Sequence, residues 1–342
     1  MDKVGFGLIG TGTWGETHLK LYSTDPRVKL ACICDINEDL VKQRAAEYGA
    51  GSWATDYREL LAREDVQAVA VVTPDFLHRE IAVAAAEAGK HILLEKPMAT
   101  SVAECEAINA AVEKAGVKLM VDFHNRFNTP FTQTKLAIEA GELGELQMAS
   151  LRLSDTIFVP TGMLSWAAKS TVAWFIGSHS VDLLRWLFED EVARVYSVAR
   201  SHVLKAMGID TPDFFHTILE FSRGAVAHVE NCWILSTAFP TVFEFKVELV
   251  GSKGHVMADL SGNRMLQKYT SEGGIYPDVI GCPIVHGRAV GFAVESIRHF
   301  VDCVVEDKQP LVTGADGLAA TKVICAIDES VKTGMPVELS WA

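Results

Sequence analysis

The chain has 342 residues, of which 49% are hydrophobic and 22% are charged, as in an ordinary globular protein. This length suggests about two domains and is enough to bury a core without disulfide or metal staples. The composition excludes a disordered chain, a collagen and a coiled coil, and no apolar run approaches the roughly 20 residues that span a bilayer.

The charge balance also limits the partners. With 31 basic and 44 acidic residues, the net charge of −13 repels nucleic acid phosphates and anionic lipids, so we expect neither as a partner. The seven cysteines are odd in number and contain no C-x-x-C pair, which predicts reduced core thiols and no metal site. No signal peptide precedes the first strand-like run, so we expect a cytoplasmic protein.

Strand and helix signals alternate as far as Asp122. The apolar runs predict strands at Val4–Ile9, Lys29–Cys34, Ala68–Val72, His91–Leu94 and Val117–Val121. Helical patterns lie between them at about Trp14–Ser23, Glu38–Tyr48, Asp56–Ala62, Arg79–Ala88 and from the Ser101 capping box to Ala115. This alternation predicts a parallel sheet with helical crossovers, in a first domain at 1–122.

The pattern changes in a second domain at 123–342. One helix is predicted near Pro130–Ala140, and two more at Ala289–Val305 and Asp316–Thr333. Strands without intervening helices are predicted at Gln147–Leu153, Arg194–Ser201, Phe214–Phe221, Ala225–Trp233, Phe243–Val250 and His255–Asp259. These strands favour a large, mostly antiparallel sheet.

A glycine-rich turn joins the first strand to the first helix. Gly10, Gly12 and Gly15 form a G-x-G-x-x-G, which allows a tight turn, close approach of a diphosphate and close helix packing. Asp35 ends the second strand, where a carboxylate binds ribose hydroxyls and repels a 2′-phosphate. With Ile36 next and no arginine nearby, this favours NAD over NADP. An S-adenosylmethionine enzyme and a turn without any cofactor remain alternatives.

A lysine lies at the end of the strand before the capping box. Glu95, Lys96 and Pro97 follow Leu94 at the carboxyl edge of the sheet, where ligands bind in open α/β folds. An ammonium there can hydrogen-bond a hydroxyl or carbonyl oxygen and stabilise developing negative charge. A surface ion pair is the alternative.

Several motifs together resemble the Gfo/Idh/MocA oxidoreductases, over essentially the whole chain. They are Gly10-x-Gly12-x-x-Gly15, Asp35, Thr73-Pro74-x-x-x-His78, Glu95-Lys96-Pro97, Asn125-Arg126-Phe127 and His179-x-x-Asp182-x-x-Arg185-Trp186. The resemblance implies an N-terminal Rossmann domain with a doubly wound parallel sheet, and a C-terminal α/β domain with a large open-faced sheet for substrate binding and oligomerisation. It also implies a nicotinamide cofactor, a small sugar or polyol substrate, and homodimers or homotetramers.

The resemblance also implies residue roles. Cofactor contacts are expected from the turn and the strand ends, namely Gly10, Gly12, Thr13, Trp14, Gly15, Asp35, Thr73, Pro74, His78, Glu95, Lys96, Pro97 and Asn125. Lys96 is expected to orient the reacting hydroxyl and His179 to act as general acid/base, a role that suits the ordinary histidine pKa of about 6.5. Arg126 is expected at the substrate.

One departure from the family pattern affects the substrate side. Many relatives carry an aspartate four residues before the histidine, and this chain has Phe175 there. Either His179 works with Lys96 alone, or Asp182 or Asp155 takes the place of that carboxylate. Trp166, Lys169 and Phe175 are therefore candidate substrate contacts, with core packing as the alternative for the aromatic residues and simple solvation for the lysine.

These features predict an NAD(P)-dependent dehydrogenase acting on a hydroxyl carbon of a sugar, inositol or sugar acid. Two alternatives stay open. One is a redox-neutral enzyme that keeps NAD tightly bound, for glycoside cleavage or an oxidoisomerase reaction. The other is a dinucleotide-binding sensor or repressor without catalytic activity.

Overall fold

The computed structural model describes residues 3–261, 265–271 and 273–341. The chain forms two compact units. One contains the chain through Phe127 together with Ile280–Thr321, and the other contains Asn128–Val279 together with the chain from Lys322. The domain limits expected from the sequence, 1–122 and 123–342, stay a prediction. Within the described ranges, no helix is long and apolar enough to cross a membrane.

The described chain contains both helices and strands. The strands are β1 (Val4–Ile9), β2 (Val28–Cys34), β3 (Trp53–Ala54), β4 (Ala68–Val71), β5 (His91–Leu94), β6 (Leu119–Val121), β7 (Leu146–Asp155), β8 (Val192–Arg200), β9 (Phe214–Phe221), β10 (Val226–Cys232), β11 (Phe243–Gly251), β12 (His255–Asp259), β13 (Lys268–Thr270), β14 (Gly273–Ile275), β15 (Ile284–Val285), β16 (Arg288–Ala289) and β17 (Val337–Glu338). The α-helices are α1 (Thr13–Tyr22), α2 (Glu38–Tyr48), α3 (Tyr57–Leu61), α4 (His78–Glu87), α5 (Val102–Ala115), α6 (Thr129–Glu139), α7 (Ser178–Phe188), α8 (Val203–Ala206), α9 (Phe292–Val305) and α10 (Gly314–Thr333).

The first unit is built on a parallel sheet. Its six strands lie in the order β3-β2-β1-β4-β5-β6, which is the doubly wound order of a dinucleotide-binding fold. Strands β4, β5 and β6 are almost wholly buried because helices cover both faces of a parallel sheet, which explains their continuous apolar runs. The predicted parallel α/β sheet is confirmed.

The second unit is built on a seven-stranded sheet in the order β12-β11-β7-β10-β9-β8-β17. Every neighbouring pair is antiparallel except β7 and β10, which run parallel, so the predicted large and mostly antiparallel sheet is confirmed. Strand β9 alternates buried and half-buried residues along its length. One face therefore packs inward, where Asn231 on β10 donates to Ser180 on α7 at 3.1 Å.

One predicted helix was wrong at its start. The sequence indicated a helix from Ala289, but α9 begins at Phe292. Gly291 is the residue before the helix and has φ of +104°, a conformation that ends the preceding segment, and Ala289 belongs to the short strand β16.

Candidate active site

The glycine-rich turn has the geometry that its sequence predicts. Gly10 has φ of +96°, and a Cβ there would lie 2.2 Å from the carbonyl oxygen of Val72. A Cβ on Gly15 would lie 2.2 Å from the carbonyl oxygen of Gly10, so both glycines are required by close packing. A Cβ on Gly12 would meet nothing within 4 Å. Gly12 therefore leaves open space at the start of α1.

That open space suits a diphosphate. Gly12 and Thr13 are exposed at the N-terminus of α1, and no side chain caps the helix at Gly12. The first N–H groups of a helix and its positive dipole end attract anions. Nearby in the fold, the hydroxyl of Thr73 is buried and has no hydrogen-bond partner within the described ranges. The residues present thus fit a dinucleotide cofactor.

Asp35 is fixed at the end of β2 by three donors. Its Oδ2 atom accepts from the backbone N–H of Thr11 at 2.7 Å and from the Thr11 hydroxyl at 3.0 Å, and its Oδ1 atom accepts from the N–H of Asn37 at 3.0 Å. The neighbouring Ile36 side chain is 93% exposed. This arrangement holds a carboxylate beside the glycine turn, because the N–H of Gly10 also bonds to Cys34 at 2.8 Å.

His78 joins two strand ends that the sequence associates with the cofactor. Its Nε2 atom lies 2.9 Å from the carbonyl oxygen of Thr73, after β4, and its Nδ1 atom lies 2.8 Å from that of Pro97, after β5. The ring is 0% exposed, and burial lowers the pKa of His78 below its ordinary value. The structure thus shows His78 as a buried tie. Its contact with a cofactor, like that of Pro74, stays a prediction.

Glu95 lies beneath α1 instead of on the surface. Its Oε1 atom accepts from Nε1 of Trp14 at 2.6 Å and lies 3.3 Å from Nε2 of His18. The backbone N–H of Lys96 lies 3.3 Å from the other oxygen, and the Lys96–Pro97 peptide bond is cis. Burial raises the pKa of Glu95, against the lowering effect of Lys96. The Glu95 carboxyl thus anchors the segment that carries Lys96.

Asn125 and Arg126 follow β6 in a short turn of 3-10 helix and are both 5% exposed. A guanidinium nitrogen of Arg126 lies 2.8 Å from Asp316, whose other oxygen accepts from the N–H of Thr313 at 2.8 Å. Arg126 lowers the pKa of Asp316, which burial alone would raise. The structure thus ties Arg126 to the start of α10, and its substrate contact stays a prediction.

The remaining predicted residues lie in the second unit. His179 and Asp182 occupy the first turn and a half of α7 and are 5% and 1% exposed. A single turn of π-helix, Ala173–Gly177, leads directly into α7 and carries Phe175. Such turns inside helices are frequent at functional sites. Lys169 is exposed on a short turn upstream.

Aromatic rings surround Phe175, where relatives were expected to have aspartate. The Phe175 ring centroid lies 6.1 Å from that of Trp166 and 5.8 Å from that of Trp233. Nε1 of Trp233 donates to Oδ2 of Asp155 at 3.1 Å. The structure therefore brings Trp166 and Phe175 together, and places Asp155 behind the next ring.

Sequence reasoning did not single out Trp233, Asp122 or His18 for the site. Asp122 follows β6 as Glu95 follows β5, and that repeated strand-end carboxylate was the signal available. His18 follows Trp14 by one helical turn, a spacing that also places both side chains on one face of α1. One imidazole nitrogen of His18 and one carboxylate oxygen each of Glu95 and Asp122 lie within 4.8 Å of one another. These are residue types that can bind a metal ion, whereas the sequence predicted no metal site.

Comparison with known proteins identifies the family of the chain. Residues 4–123 match the Gfo/Idh/MocA model described as "Oxidoreductase family, NAD-binding Rossmann fold", and residues 135–339 match the family's C-terminal alpha/beta domain. These matches confirm the predicted family and fold class, and with them an NAD-binding oxidoreductase as the class of enzyme.

Individual relatives match two thirds or more of the chain. The chain is 28% identical over 341 residues to scyllo-inositol 2-dehydrogenase (NAD(+)) of Bacillus subtilis, covering 98% of this chain and 96% of that protein. It is 30% identical to levoglucosan dehydrogenase of Pseudarthrobacter phenanthrenivorans over 67% of each chain.

A solved structure shows the same fold. The crystal structure of scyllo-inositol dehydrogenase from Lactobacillus casei with NAD(H) and scyllo-inositol superposes with a TM-score of 0.84 at 19% identity, covering 98% of this chain and 99% of that one. With both domain models matched along nearly its whole length, the chain belongs to the Gfo/Idh/MocA family of oxidoreductases.

Proposed function

We propose that this protein is an NAD-dependent dehydrogenase that transfers hydride between nicotinamide and a hydroxyl-bearing carbon of a sugar, inositol or sugar acid. One observation carries the proposal. The uncapped start of α1 at Gly12 opens beside a carboxylate, Asp35, that three donors hold in place. Relatives named as dehydrogenases of scyllo-inositol and levoglucosan support the class of substrate.

The cofactor end follows from charge. The N–H groups at Gly12 and Thr13 bind the diphosphate, and Asp35 accepts hydrogen bonds from the adenosine ribose hydroxyls. Within the described ranges, no cationic side chain pairs with Asp35. Its negative charge therefore repels the 2′-phosphate of NADP. Thr73 supplies its buried hydroxyl to the same crevice.

The reacting end uses Lys96 and His179. Bound NAD supplies the hydride acceptor, the nicotinamide ring. Lys96 donates a hydrogen bond to the reacting hydroxyl and stabilises its negative charge as the proton leaves. His179 receives that proton, and it returns the proton in the reverse reduction.

The substrate side is apolar at Phe175. The Phe175 ring lies between those of Trp166 and Trp233, and its face can pack against C–H groups of a sugar or cyclitol ring. An aspartate at this position would instead accept a proton from a substrate hydroxyl. We propose that the substrate presents a C–H-rich edge at this position. Asp155, which accepts from Trp233, holds that wall in place.

We also propose assembly into a homodimer or homotetramer through the face of the seven-stranded sheet that points away from the core. The strand register places Tyr196, Ile218, His228, Ser150, Glu248 and Met257 in one row across that face. Tyr196 is 42% and Met257 is 72% exposed. Light scattering at micromolar concentration tests this, and a monomer there contradicts it.

The function is tested with sugars, inositols and sugar acids incubated with NAD and, separately, NADP, while NADH absorbance is followed. We expect turnover of at least one polyol with NAD, and a strong loss of turnover in Lys96→Ala with nearly unchanged NADH affinity. Copurified NAD that is not released during turnover favours the redox-neutral alternative. NADH binding without turnover of any compound favours the sensor.

A further inference from the structure

Two carboxyl groups lie side by side in the buried interior of the first unit. Leu94 on β5 pairs with Val121 on β6, and the next residue on each strand is acidic, so the register places Glu95 beside Asp122. The N–H of Asp122 bonds to Leu94 at 2.8 Å, which fixes this alignment. Glu95 is 6% and Asp122 is 0% exposed.

The donors around these two carboxyls are unevenly distributed. Glu95 accepts from two N–H groups, the Trp14 indole and the Lys96 backbone, and its Oε1 atom also lies 3.3 Å from Nε2 of the His18 ring. Asp122 accepts a hydrogen bond from the hydroxyl of Ser296 through Oδ1, whereas its Oδ2 atom is buried without a hydrogen-bond donor within the described ranges. An ionised carboxylate in a dry site needs several donors. The surroundings therefore suit a charged Glu95 and a neutral Asp122.

We propose that Glu95 and Asp122 share a single proton that resides on Asp122, and that this buried pair is a positioning element for Lys96. The Asp122 O–H donates to Glu95, so the pair carries one negative charge rather than two. Glu95 in turn accepts a hydrogen bond from the backbone N–H of Lys96 and interacts electrostatically with the Lys96 ammonium. The pair thus gives Lys96 one fixed negative neighbour.

The titratable groups around the pair are consistent with a single retained charge. His18 and Tyr22 face it from α1, Lys96 follows β5 and His124 follows β6, whereas α9 contributes the uncharged Ser296. Burial lowers the pKa of His18 to about 4, so this ring is neutral near pH 7. Burial beside Glu95 raises the pKa of Asp122 well above its ordinary value.

The first test uses stability, which does not depend on the proposed function. Asn is the isostere of a protonated Asp, since its oxygen accepts from Ser296 and its N–H donates to Glu95. We expect Asp122→Asn to match the thermal midpoint of the wild type near about pH 4 and to exceed it near pH 7, because the asparagine needs no proton on folding. Asp122→Ala is expected to have a lower midpoint than Asp122→Asn at both pH values. As a control, Asp25→Asn lowers the midpoint, because Asp25 is a carboxylate whose pKa is lowered by its bonds to Arg27.

The same variants test for the proton itself. A carboxyl whose folded-state pKa is raised loses stability as pH rises from its unfolded pKa towards its folded pKa. Between pH 6.5 and 8, we expect the unfolding constant of the wild type to rise by up to about tenfold per pH unit relative to Asp122→Asn. In infrared difference spectra, the carbonyl band of a protonated carboxyl is expected in the wild type and absent in Asp122→Asn.

The role towards Lys96 is tested by activity, and this part rests on the proposed function. Asp122→Asn keeps the negative charge and is expected to leave the alkaline limb of the kcat profile in place. Glu95→Gln removes the negative charge beside the Lys96 ammonium and is expected to move that limb to lower pH.

Four results overturn the proposal. The first two are equal lowering of the thermal midpoint by Asp122→Asn and Asp122→Ala, and the same pH dependence of unfolding in the wild type and Asp122→Asn. The other two are the absence of the infrared carbonyl band in the wild type, and one equivalent of bound divalent metal that is lost in Asp122→Asn. The last is measured by elemental analysis of the purified protein, since His18, Glu95 and Asp122 are also metal-ligating residue types. An alkaline limb that moves equally in Asp122→Asn and Glu95→Gln overturns the role towards Lys96. An inactive wild type with the expected stability and infrared results refutes the proposed function and leaves the proton-sharing pair intact.

Discussion

The Nδ1 atom of His78 lies 2.8 Å from the carbonyl oxygen of Pro97, 19 residues further along the chain. Through its other nitrogen, 2.9 Å from the carbonyl oxygen of Thr73, the same ring holds the segment that follows β4. One buried imidazole therefore fixes the relative position of two strand ends at the carboxyl edge of the sheet, where the cofactor is proposed to bind.

Replacement of His78 by alanine is expected to destabilise the protein by about 2–4 kcal/mol, because the ring N–H loses its hydrogen bond to a carbonyl oxygen and a cavity is left. Urea unfolding followed by circular dichroism measures this. His255→Ala, on the exposed start of β12, is the matched control and is expected to change stability by less than about 0.5 kcal/mol. Equal, small effects of the two substitutions would show that His78 is no structural tie.

Alanine substitution of the first two glycines of the turn is expected to have different effects on stability and on NADH affinity. Gly12→Ala adds a Cβ in open space, so the free energy of unfolding changes by less than about 1 kcal/mol while NADH affinity falls by about tenfold or more. Gly10→Ala adds a Cβ 2.2 Å from Val72 at φ of +96°, so it lowers stability by at least about 2 kcal/mol. Calorimetric NADH titration and urea unfolding of both variants separate binding from folding. A Gly12→Ala protein that binds NADH like the wild type contradicts the proposed diphosphate position.

His18 predicts a loss of stability in mild acid. Burial lowers its pKa from 6.5 to about 4, so the unfolded chain binds a proton between these values that the folded chain does not. Stability from this group is complete above pH 6.5 and is lost as pH falls, by up to about 3 kcal/mol at pH 4. We expect His18→Gln to have a shallower loss between pH 6.5 and 4.5 in chemical unfolding. An unchanged slope would show that His18 is protonated in the folded state.

Phe175 is expected to control substrate choice. Phe175→Leu keeps an apolar side chain and Phe175→Asp introduces the carboxylate expected in relatives. If Phe175 packs against substrate, Phe175→Asp changes the ratio of kcat/KM between a sugar and its deoxy analogue by about tenfold or more, whereas Phe175→Leu changes that ratio little. If both variants lower stability equally and leave the kcat/KM ratio unchanged, Phe175 packs in the core and does not contact substrate.

The sequence predicted most of the first unit because parallel, doubly covered strands read as continuous apolar runs. Val4–Ile9 and His91–Leu94 are strands with the predicted limits. The two-residue strand β3 was missed, since Trp53 and Ala54 carry no periodicity. The π-helical turn at Ala173–Gly177 was also missed, because no residue pattern distinguishes it from an ordinary helix start.

Sequence motifs predicted those site residues whose contacts are with backbone close by in the chain. Gly10, Gly15 and Asp35 were predicted from the sequence because their proposed roles depend on the turn itself. Asp122 and Trp233 were not, since their partners Ser296 and Asp155 are 174 and 78 residues away in the chain. Such contacts depend on tertiary packing, which one sequence does not encode in its spacing.

The proposed function depends most directly on a dinucleotide bound between the glycine turn and Asp35. Calorimetric titration of the wild type and Asp35→Ala with NADH and with NADPH measures this. We expect one NADH per chain, weaker binding of NADPH, and an affinity for NADH reduced by about tenfold or more in Asp35→Ala. No binding of either nucleotide to the wild type, or equal NADH binding by wild type and Asp35→Ala, would contradict it.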